Sequence, residues 1–395
     1  MRVLILTETL WPYGSGGELA TYLFVRLLPR YGVHVRVVVR KEFQAKEWYG
    51  IEVYRISSLG YGKYFVLSNE SRKLIMKLIS QSDIVYFASS ILDIIPLAKS
   101  LGKPVIVHVH SYFPACPVGH FYNFVYEKVC TPYERSCRKC ILTYESMKRP
   151  SLEATASCIV NSLLGTKLFL RYVLSSDALV FVSKAQQELF LEHIRALRNC
   201  VPVSYVIHNP LPDVERLPVK GNDVGFLGGL DPIKGFNFLL KAWLRLFRKY
   251  KHIKLRVAMS LGLPDMVERV NIVRYPRLRG SELVAFYEHC RVIVVPSICP
   301  EPSPYVVIET LLKGRLLIAS NIGGIPEIIG NAPGVKLVSP RDIDSLVDAL
   351  DWVLSMDSRD VIELGLKNRE CILRRFSNDH LVRELIKVFD KVMHS

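Results

Sequence analysis

Two glutamates eight positions apart, in the run Glu301-Pro-Ser303-Pro-Tyr305-Val-Val-Ile-Glu309, have the strongest claim to chemistry in this sequence. A β-branched run at 292–296 precedes them and helical spacing follows. Glu301 therefore falls in a strand-to-helix loop and Glu309 about one turn inside the helix. A helix N-terminus attracts phosphate, whereas carboxylates repel it. The partners that suit these two side chains are hydroxyl groups, such as those of a sugar. Alone, the pair would be ordinary surface charge.

Three further segments place reactive groups just after predicted strands. Trp11-Pro-Tyr-Gly-Ser-Gly16-Gly17-Glu18 follows the first strand, and its glycines bring backbone N–H groups toward a helix start, a cradle for an anion or a hydroxyl. It lacks the full dinucleotide spacing and an acidic residue on the second strand, which disfavours NAD. Gly228-Gly229-Leu-Asp-Pro-Ile-Lys234-Gly235 is a glycine-rich turn that delivers a lysine to a helix mouth, suited to a diphosphate and unlike a Walker loop in spacing. His110 ends the strand in His108-Val-His110-Ser-Tyr.

Nine cysteines are many for a chain in a reducing compartment, and four cluster as Cys116-x13-Cys130-x6-Cys137-x2-Cys140. The spacing fits a four-cysteine zinc knuckle, two disulfides or four unpaired thiols, with zinc preferred in a reducing cytoplasm. Asp342-Ile-Asp344 looks like a metal-binding acidic pair but stands at a helix start. It reads as a cap, so no catalytic divalent cation is expected.

The elements that must position these residues follow from periodicity. Strands are predicted at 3–7, 33–40, 84–88, 105–110 and 179–183, alternating with helices at 18–29, 71–80, 92–101 and 184–193. A proline-rich passage at 209–221 interrupts the alternation and reads as a linker. The pattern then restarts, with strands at 224–227, 255–259, 271–275, 292–296 and 316–319 and helices at 236–250, 282–289 and 305–313. From 341 onward the chain is helical. Its last helix carries an apolar stripe at Leu381, Leu385, Ile386, Phe389 and Val392 that needs a partner surface.

At 395 residues, half of them hydrophobic, two α/β domains of ordinary size are expected. Lys and Arg exceed Asp and Glu by 52 to 37, a net charge of +15, which favours an anionic partner: a nucleotide or an anionic membrane surface. No basic arm, finger or RNP-like motif is present, so nucleic acid is disfavoured. The first residues read as a strand rather than a signal peptide, and the apolar stretch at 163–182 is broken by Lys167, Arg171 and Asp177. The expectation is a cytoplasmic protein, free or peripheral at the inner membrane face.

In order along the chain, Gly228-Gly229-Leu230 with Lys234-Gly235, Glu301 through Glu309, and Ser320-Asn-Ile-Gly323-Gly324-Ile-Pro-Glu327 resemble the motifs of the retaining GT-B glycosyltransferases of family 4. Val182-Ser183 before a helix and Ile207-His-Asn-Pro210 at the linker extend the resemblance over essentially the whole chain. It implies two facing Rossmann-like, doubly wound domains with a deep interdomain cleft. Residues 1–208 would form the acceptor domain, with a cysteine-bearing insertion at 111–150. Residues 209–375 would form the nucleotide-sugar domain, and 376–395 a terminal helix packing back on the first.

Carried over by position, the resemblance implies that Lys234 holds the donor diphosphate with Gly228 and Gly229, Glu309 the ribose, and Glu301 the sugar hydroxyls. Ser303 and Tyr305 would line the donor site, His110 the cleft near the anomeric carbon, and Gly16, Gly17, Gly323 and Gly324 the cleft loops. Ser303 and Pro304 stand where the family often has Phe and Gly, and the proline removes one backbone N–H. Gly229 stands where many members have arginine, with Arg279 a candidate replacement.

The implied reaction is metal-independent transfer, with retention, from a UDP-, GDP- or ADP-sugar to a glycan, lipid-linked or small hydroxyl acceptor. It requires no catalytic cofactor and leaves the cysteines as a structural clip. The rivals are an epimerase or phosphorylase of the same fold, a non-catalytic sugar-nucleotide sensor or scaffold, and a membrane-surface adaptor.

Overall fold

The computed structural model describes residues 1–41, 47–57, 68–89, 91–132, 137–148, 166–195, 201–229, 231–258 and 270–394. Leu230, the predicted strand end at 259, the insertion end at 149–150 and the start of the apolar stretch at 163–165 lie outside these residues. The chain divides into two compact units, Met1–Leu211 with Ser377–Ser395, and Pro212–Phe376.

The first unit is built on strands β1 (Arg2–Thr7), β2 (His34–Val39), β3 (Glu47–Trp48), β4 (Ile51–Arg55), β5 (Ile84–Phe87), β6 (Val105–Val109), β9 (Ala178–Phe181) and β10 (Val203–Val206). They form one eight-stranded sheet in the order β10-β9-β6-β5-β1-β2-β4-β3. Every pairing is parallel except β3 with β4. Val3 to Leu6 of β1 are fully buried, as a strand covered on both faces requires.

Helices α1 (Gly16–Leu27), α2 (Asn69–Ser80), α3 (Ile95–Ser100), α5 (Thr166–Leu174) and α6 (Lys184–Arg195) belong to this unit. So does a small insertion made of hairpin β7–β8 (Tyr122–Asn123, Lys128–Val129) and helix α4 (Cys137–Lys148). Helix α3 starts later than its apolar spacing suggests, because Pro96 favours the first helical turn.

One face of the sheet is covered by the last helix of the chain, Asn378–Met393. Its Leu381, Val382, Leu385, Val388, Phe389 and Val392 are buried among Val3, Ile5, Val35, Val37 and Tyr86. Ser377 caps its first turn, and the Asn378 side-chain amide accepts the Leu211 N–H at 2.7 Å and donates to the Leu211 carbonyl at 2.9 Å.

The second unit is a six-stranded parallel sheet in the order β13-β12-β11-β14-β15-β16. Its strands are β11 (Asp223–Phe226), β12 (Leu255–Ala258), β13 (Ile272–Tyr275), β14 (Cys290–Val295), β15 (Leu316–Ser320) and β16 (Val335–Val338). Helices α7 (Phe236–Leu246), α8 (Gly280–His289), α9 (Tyr305–Leu312), α10 (Ile325–Ile329), α11 (Ile343–Leu354) and α12 (Ser358–Arg375) complete it, so the terminal helix is α13. Trp243, Leu239 and Leu350 sit at the centre of one core layer.

Asp342 accepts the Ser345 N–H at 3.0 Å, the capping role its position suggests, and Asp344 pairs with Arg245. No helix among the described residues is long and apolar enough to cross a membrane.

Candidate active site

In the second unit the sheet order reverses at β11 and β14, and ligand sites of doubly wound sheets lie beyond the strand ends at such a point. Three loops from these ends and from β15 meet at Glu301. After β11, a short turn at Pro232–Lys234, capped by Asp231 on the Ile233 N–H, ends at Gly235 with φ +73°. A Cβ at Gly235 would stand 1.8 Å from the Pro296 carbonyl oxygen, so only glycine lets this turn abut the end of β14. The Ile298 N–H donates to the Ile233 carbonyl at 2.8 Å and fastens the two loops together.

That docking delivers Lys234 to Glu301, Nζ to Oε1 at 2.6 Å, while the Ser297 hydroxyl donates to the same oxygen at 2.7 Å. Glu301 is only 7% exposed. Burial pulls the Lys234 ammonium toward neutrality, but the charge and hydrogen bond of Glu301 outweigh it and hold the pKa above its ordinary value. After β15, the Gly324 N–H donates to the Glu301 carbonyl at 2.8 Å. Gly323, with φ +58°, passes so close that a Cβ would lie 2.4 Å from that oxygen. Gly228 similarly makes room, its missing Cβ facing the Lys234 stem at 2.8 Å, whereas Gly229 faces open space.

Glu309 keeps different company. Its Oε2 lies 3.6 Å from the Nζ of Lys313, one turn on, and 3.5 Å from the Tyr287 hydroxyl. Lys313 is buried with its ammonium 4.5 Å from the Tyr287 ring centre. Tyr305 is buried at the start of α9, and burial followed by the Glu309 charge pushes its hydroxyl well above the ordinary range. Pro304 is the N-cap of α9, with φ −74°, so the proline sits outside the helical first turn and leaves the N–H groups of Tyr305 and Val306 in place.

In the first unit His110 follows β6 and borders a cavity of about 280 Å³, lined also by Glu8, Ser15, Gly17, Glu18 and Ser89. Gly17 allows the first turn of α1, which begins at Gly16, to touch His110; a Cβ there would be 3.2 Å from the His110 Cβ. Glu18 accepts hydrogen bonds from the Ser15 N–H at 2.8 Å and hydroxyl at 2.7 Å, closing a capping arrangement. Glu8 is held by Arg40 at 3.0 Å and Lys41 at 2.9 Å.

Burial lowers the His110 pKa to about 4, against a smaller upward pull from Glu18, so the imidazole is neutral at pH 7. His108 lies against it with ring centroids 4.2 Å apart and planes tilted by 33°, and has its own Nδ1 hydrogen-bonded to the Tyr86 hydroxyl. The Nε2 atoms of both histidines are buried without a hydrogen-bond partner.

Ser297, Tyr287, Lys313, Tyr86 and Glu8 carry no local signature of the site in the sequence. His108 does, because residues two apart on a strand share a face and it stands two before His110. The four cysteines of the insertion line a separate cavity of about 230 Å³.

Residues 221–356 match the family model described as glycosyl transferases group 1. A D-inositol 3-phosphate glycosyltransferase from Corynebacterium urealyticum is 26% identical over 188 residues, 44% of each chain. The chain spans about half the length of the curated relatives it matches.

A sucrose-phosphate synthase from Thermosynechococcus elongatus superposes with TM-score 0.66 at 15% identity, covering 100% of this chain and 99% of its own. Anabaena HepE, solved in complex with UDP-glucose, superposes with TM-score 0.68 at 13% identity, covering 99% of this chain and 100% of its own. The fold is of the GT-B class, with two Rossmann-like sheets. Its second unit carries the region that matches the group 1 glycosyl transferases.

Proposed function

We propose that the chain is a retaining glycosyltransferase that moves a sugar from a nucleotide-sugar donor to a hydroxyl acceptor, without a catalytic metal and with attack on the face the leaving group departs from. The observation that carries this reading is the meeting of three loops at Glu301, with Lys234 and Ser297 on its buried carboxylate and the Gly323–Gly324 loop on its backbone carbonyl. Without donor, Lys234 and Ser297 share one oxygen of Glu301. A diphosphate competes for the lysine through its larger charge, and Lys234 leaving for it opens Glu301 Oε1 to a sugar hydroxyl. Donor recognition and carboxylate release are then one event.

Glu309, carried on α9 beside Tyr287 and Lys313, is assigned the ribose, with Gly228, Gly229, Ser303 and Tyr305 lining the donor. The neutral His110, with Gly16 and Gly17, is assigned the acceptor side. With no side chain assigned as a nucleophile, the departing phosphate takes the acceptor proton, and Lys234 with nearby helix N-termini offsets the developing charge. The capping and ion-pair duties of Asp342 and Asp344 support a reaction without a catalytic divalent cation. HepE is a fold neighbour solved with UDP-glucose, which supports a nucleotide-sugar as donor. The net charge of +15 supports work at the anionic inner membrane face on a lipid-linked acceptor.

The test is a thermal-shift screen over UDP-, GDP- and ADP-sugars, followed by acceptor-dependent release of nucleotide. Glu301→Ala and Lys234→Ala should each lower turnover by roughly 100-fold or more, the scale of losing a transition-state contact, with unchanged circular dichroism. Wild-type rates in either variant would remove the site assignment.

A further inference from the structure

Four cysteines and one histidine that the transfer chemistry leaves unused face a single cavity of the first unit. Cys116, Cys130, Cys137 and Cys140 come from the insertion, and His193 comes from α6 of the main α/β framework. His193 is 8% exposed. Its Nδ1 lies 2.8 Å from the Leu189 carbonyl oxygen, which can only accept, so the ring proton is on Nδ1 and Nε2 carries the lone pair. That Nε2 is buried and has no hydrogen-bond partner. The ring cannot swing away readily, because Phe121 stacks on it at 3.9 Å.

The sulfurs are prepared from the other side. The Phe121 N–H donates to Cys116 Sγ at 3.4 Å and the Phe124 N–H to Cys140 Sγ at 3.5 Å, which fixes both sulfurs on the cavity wall, while burial holds the Cys116 thiol above its ordinary pKa against the smaller pull of its backbone donors. The Cys140 thiol rests on the Tyr122 carbonyl at 3.5 Å. Cys137 and Cys140, three apart at the start of α4, share a helix face.

We propose that this cavity binds a soft divalent cation of the zinc class, through Cys116 and Cys140 as thiolates, His193 Nε2 as nitrogen ligand and either Cys130 or Cys137 as the fourth ligand. Thiolates with one imidazole are a zinc donor set, and a ligand histidine typically gives its other N–H to a backbone carbonyl, as His193 does to Leu189. Among the described residues the oxygen-bearing side chains on the wall are Asn123 and Thr131, a poor set for magnesium or calcium.

Among the described residues no three His, Cys, Asp or Glu side chains are yet grouped to hold an ion. Zinc bonds of about 2.0–2.3 Å therefore require the cavity wall to contract on loading. Contraction pins the insertion to α6, and each thiol that becomes a ligand gives its proton to solvent. This inference does not depend on the transfer reading, and its readouts are independent of activity.

The test uses the purified full chain with Zn²⁺ alone, and Co²⁺ as an optical probe. About one zinc per chain, release of about three protons on binding at pH 7, and cobalt bands of tetrahedral thiolate type are expected. Cys116→Ser, Cys140→Ser and His193→Gln should each weaken zinc by more than about 100-fold, beyond the 10–100-fold typical of losing an outer-shell partner. Cys130→Ser and Cys137→Ser should each retain the ion, and the double variant should lose it. Zinc below about a tenth of an equivalent, an octahedral cobalt spectrum or binding without proton release would overturn the site. Wild-type affinity in His193→Gln, with its fold intact by circular dichroism, would overturn the ligand set. Should any variant fail to fold, stoichiometry, proton release and the cobalt spectrum of the unaltered protein decide the matter.

Discussion

Replacing Gly323 with alanine puts a methyl group where the main chain of Glu301 already runs, 2.4 Å from its carbonyl oxygen and 2.6 Å from its nitrogen. Two costs add. The φ of +58° is a left-handed conformation that costs an alanine about 1–2 kcal/mol. The overlap is with backbone, which cannot swing aside as a side chain does, and forced packing of this kind costs about 1–3 kcal/mol. The sum is roughly 2–5 kcal/mol. Whatever part is relieved by movement displaces the segment that carries the Glu301 carboxylate, and a misplacement of about 1 Å can cost about 100-fold in rate.

Gly32→Ala is the internal control, away from the site, with a φ of +77° but nothing within 4 Å of the added carbon, so only the first cost applies. Urea unfolding of both variants, with turnover on the donor found by screening, separates the effects. Gly323→Ala should be the less stable by about 1–3 kcal/mol and far slower. Indistinguishable stabilities and rates for the two would refute the argument that the glycine loop is fitted to Glu301.

Two further outcomes can be measured directly. His110 titrates near 4 in the folded protein against about 6.5 unfolded, so the unfolded chain binds more protons between those values. Its share of stability is complete above about pH 6.5 and is lost as pH falls toward 4. His110→Asn should flatten this part of the pH dependence of the urea midpoint, with the slope from buried His108 remaining; an unchanged slope would refute the assignment. Arg315, 1% exposed, donates to the carbonyls of Tyr287, Leu217 and Pro218 at 2.7, 3.0 and 2.6 Å, and burial lowers its pKa to about 10. Arg315→Ala leaves these carbonyls without that donor and should cost about 3–5 kcal/mol in chemical denaturation, whereas a loss under about 1 kcal/mol would contradict it.

Both sheets were legible in the sequence because their central strands are buried along their length and carry short apolar runs, Val-Leu-Ile-Leu in β1 and Val-Ile-Val-Val in β14. Strands β4, β10 and β16 were not. β4 and β16 mix buried with half-buried or exposed positions, as at Ile51-Glu52-Val53 and Lys336-Leu337-Val338, β10 is half-buried or exposed throughout, and none carries a continuous apolar signal. Hairpin β7–β8 contributes two residues per strand, too few for any period to show.

At the candidate site, local spacing marked Glu301, Lys234 and the glycines, because a helix start or a tight turn leaves its own signature. Ser297, Tyr287 and His193 acquire their places through contacts across the fold. His193 reaches the cysteine cavity from 53 positions beyond Cys140, and no periodicity encodes that approach. The proline at 304 looked costly from sequence alone. Its position as N-cap shows that the first helical turn keeps its own donors.

The place of α13 bears on how the chain is made. The first unit borrows its last helix from the far side of the 165 residues at 212–376, so the sheet face under Leu385 and Phe389 stays uncovered until that stretch has been synthesised. At about 5–20 residues per second this is a delay of roughly ten to thirty seconds. The second unit is continuous in sequence and can complete its core during that interval. A chain truncated before residue 378 and released from the ribosome should therefore present a protease-resistant second unit beside a first unit whose apolar sheet face still recruits chaperones.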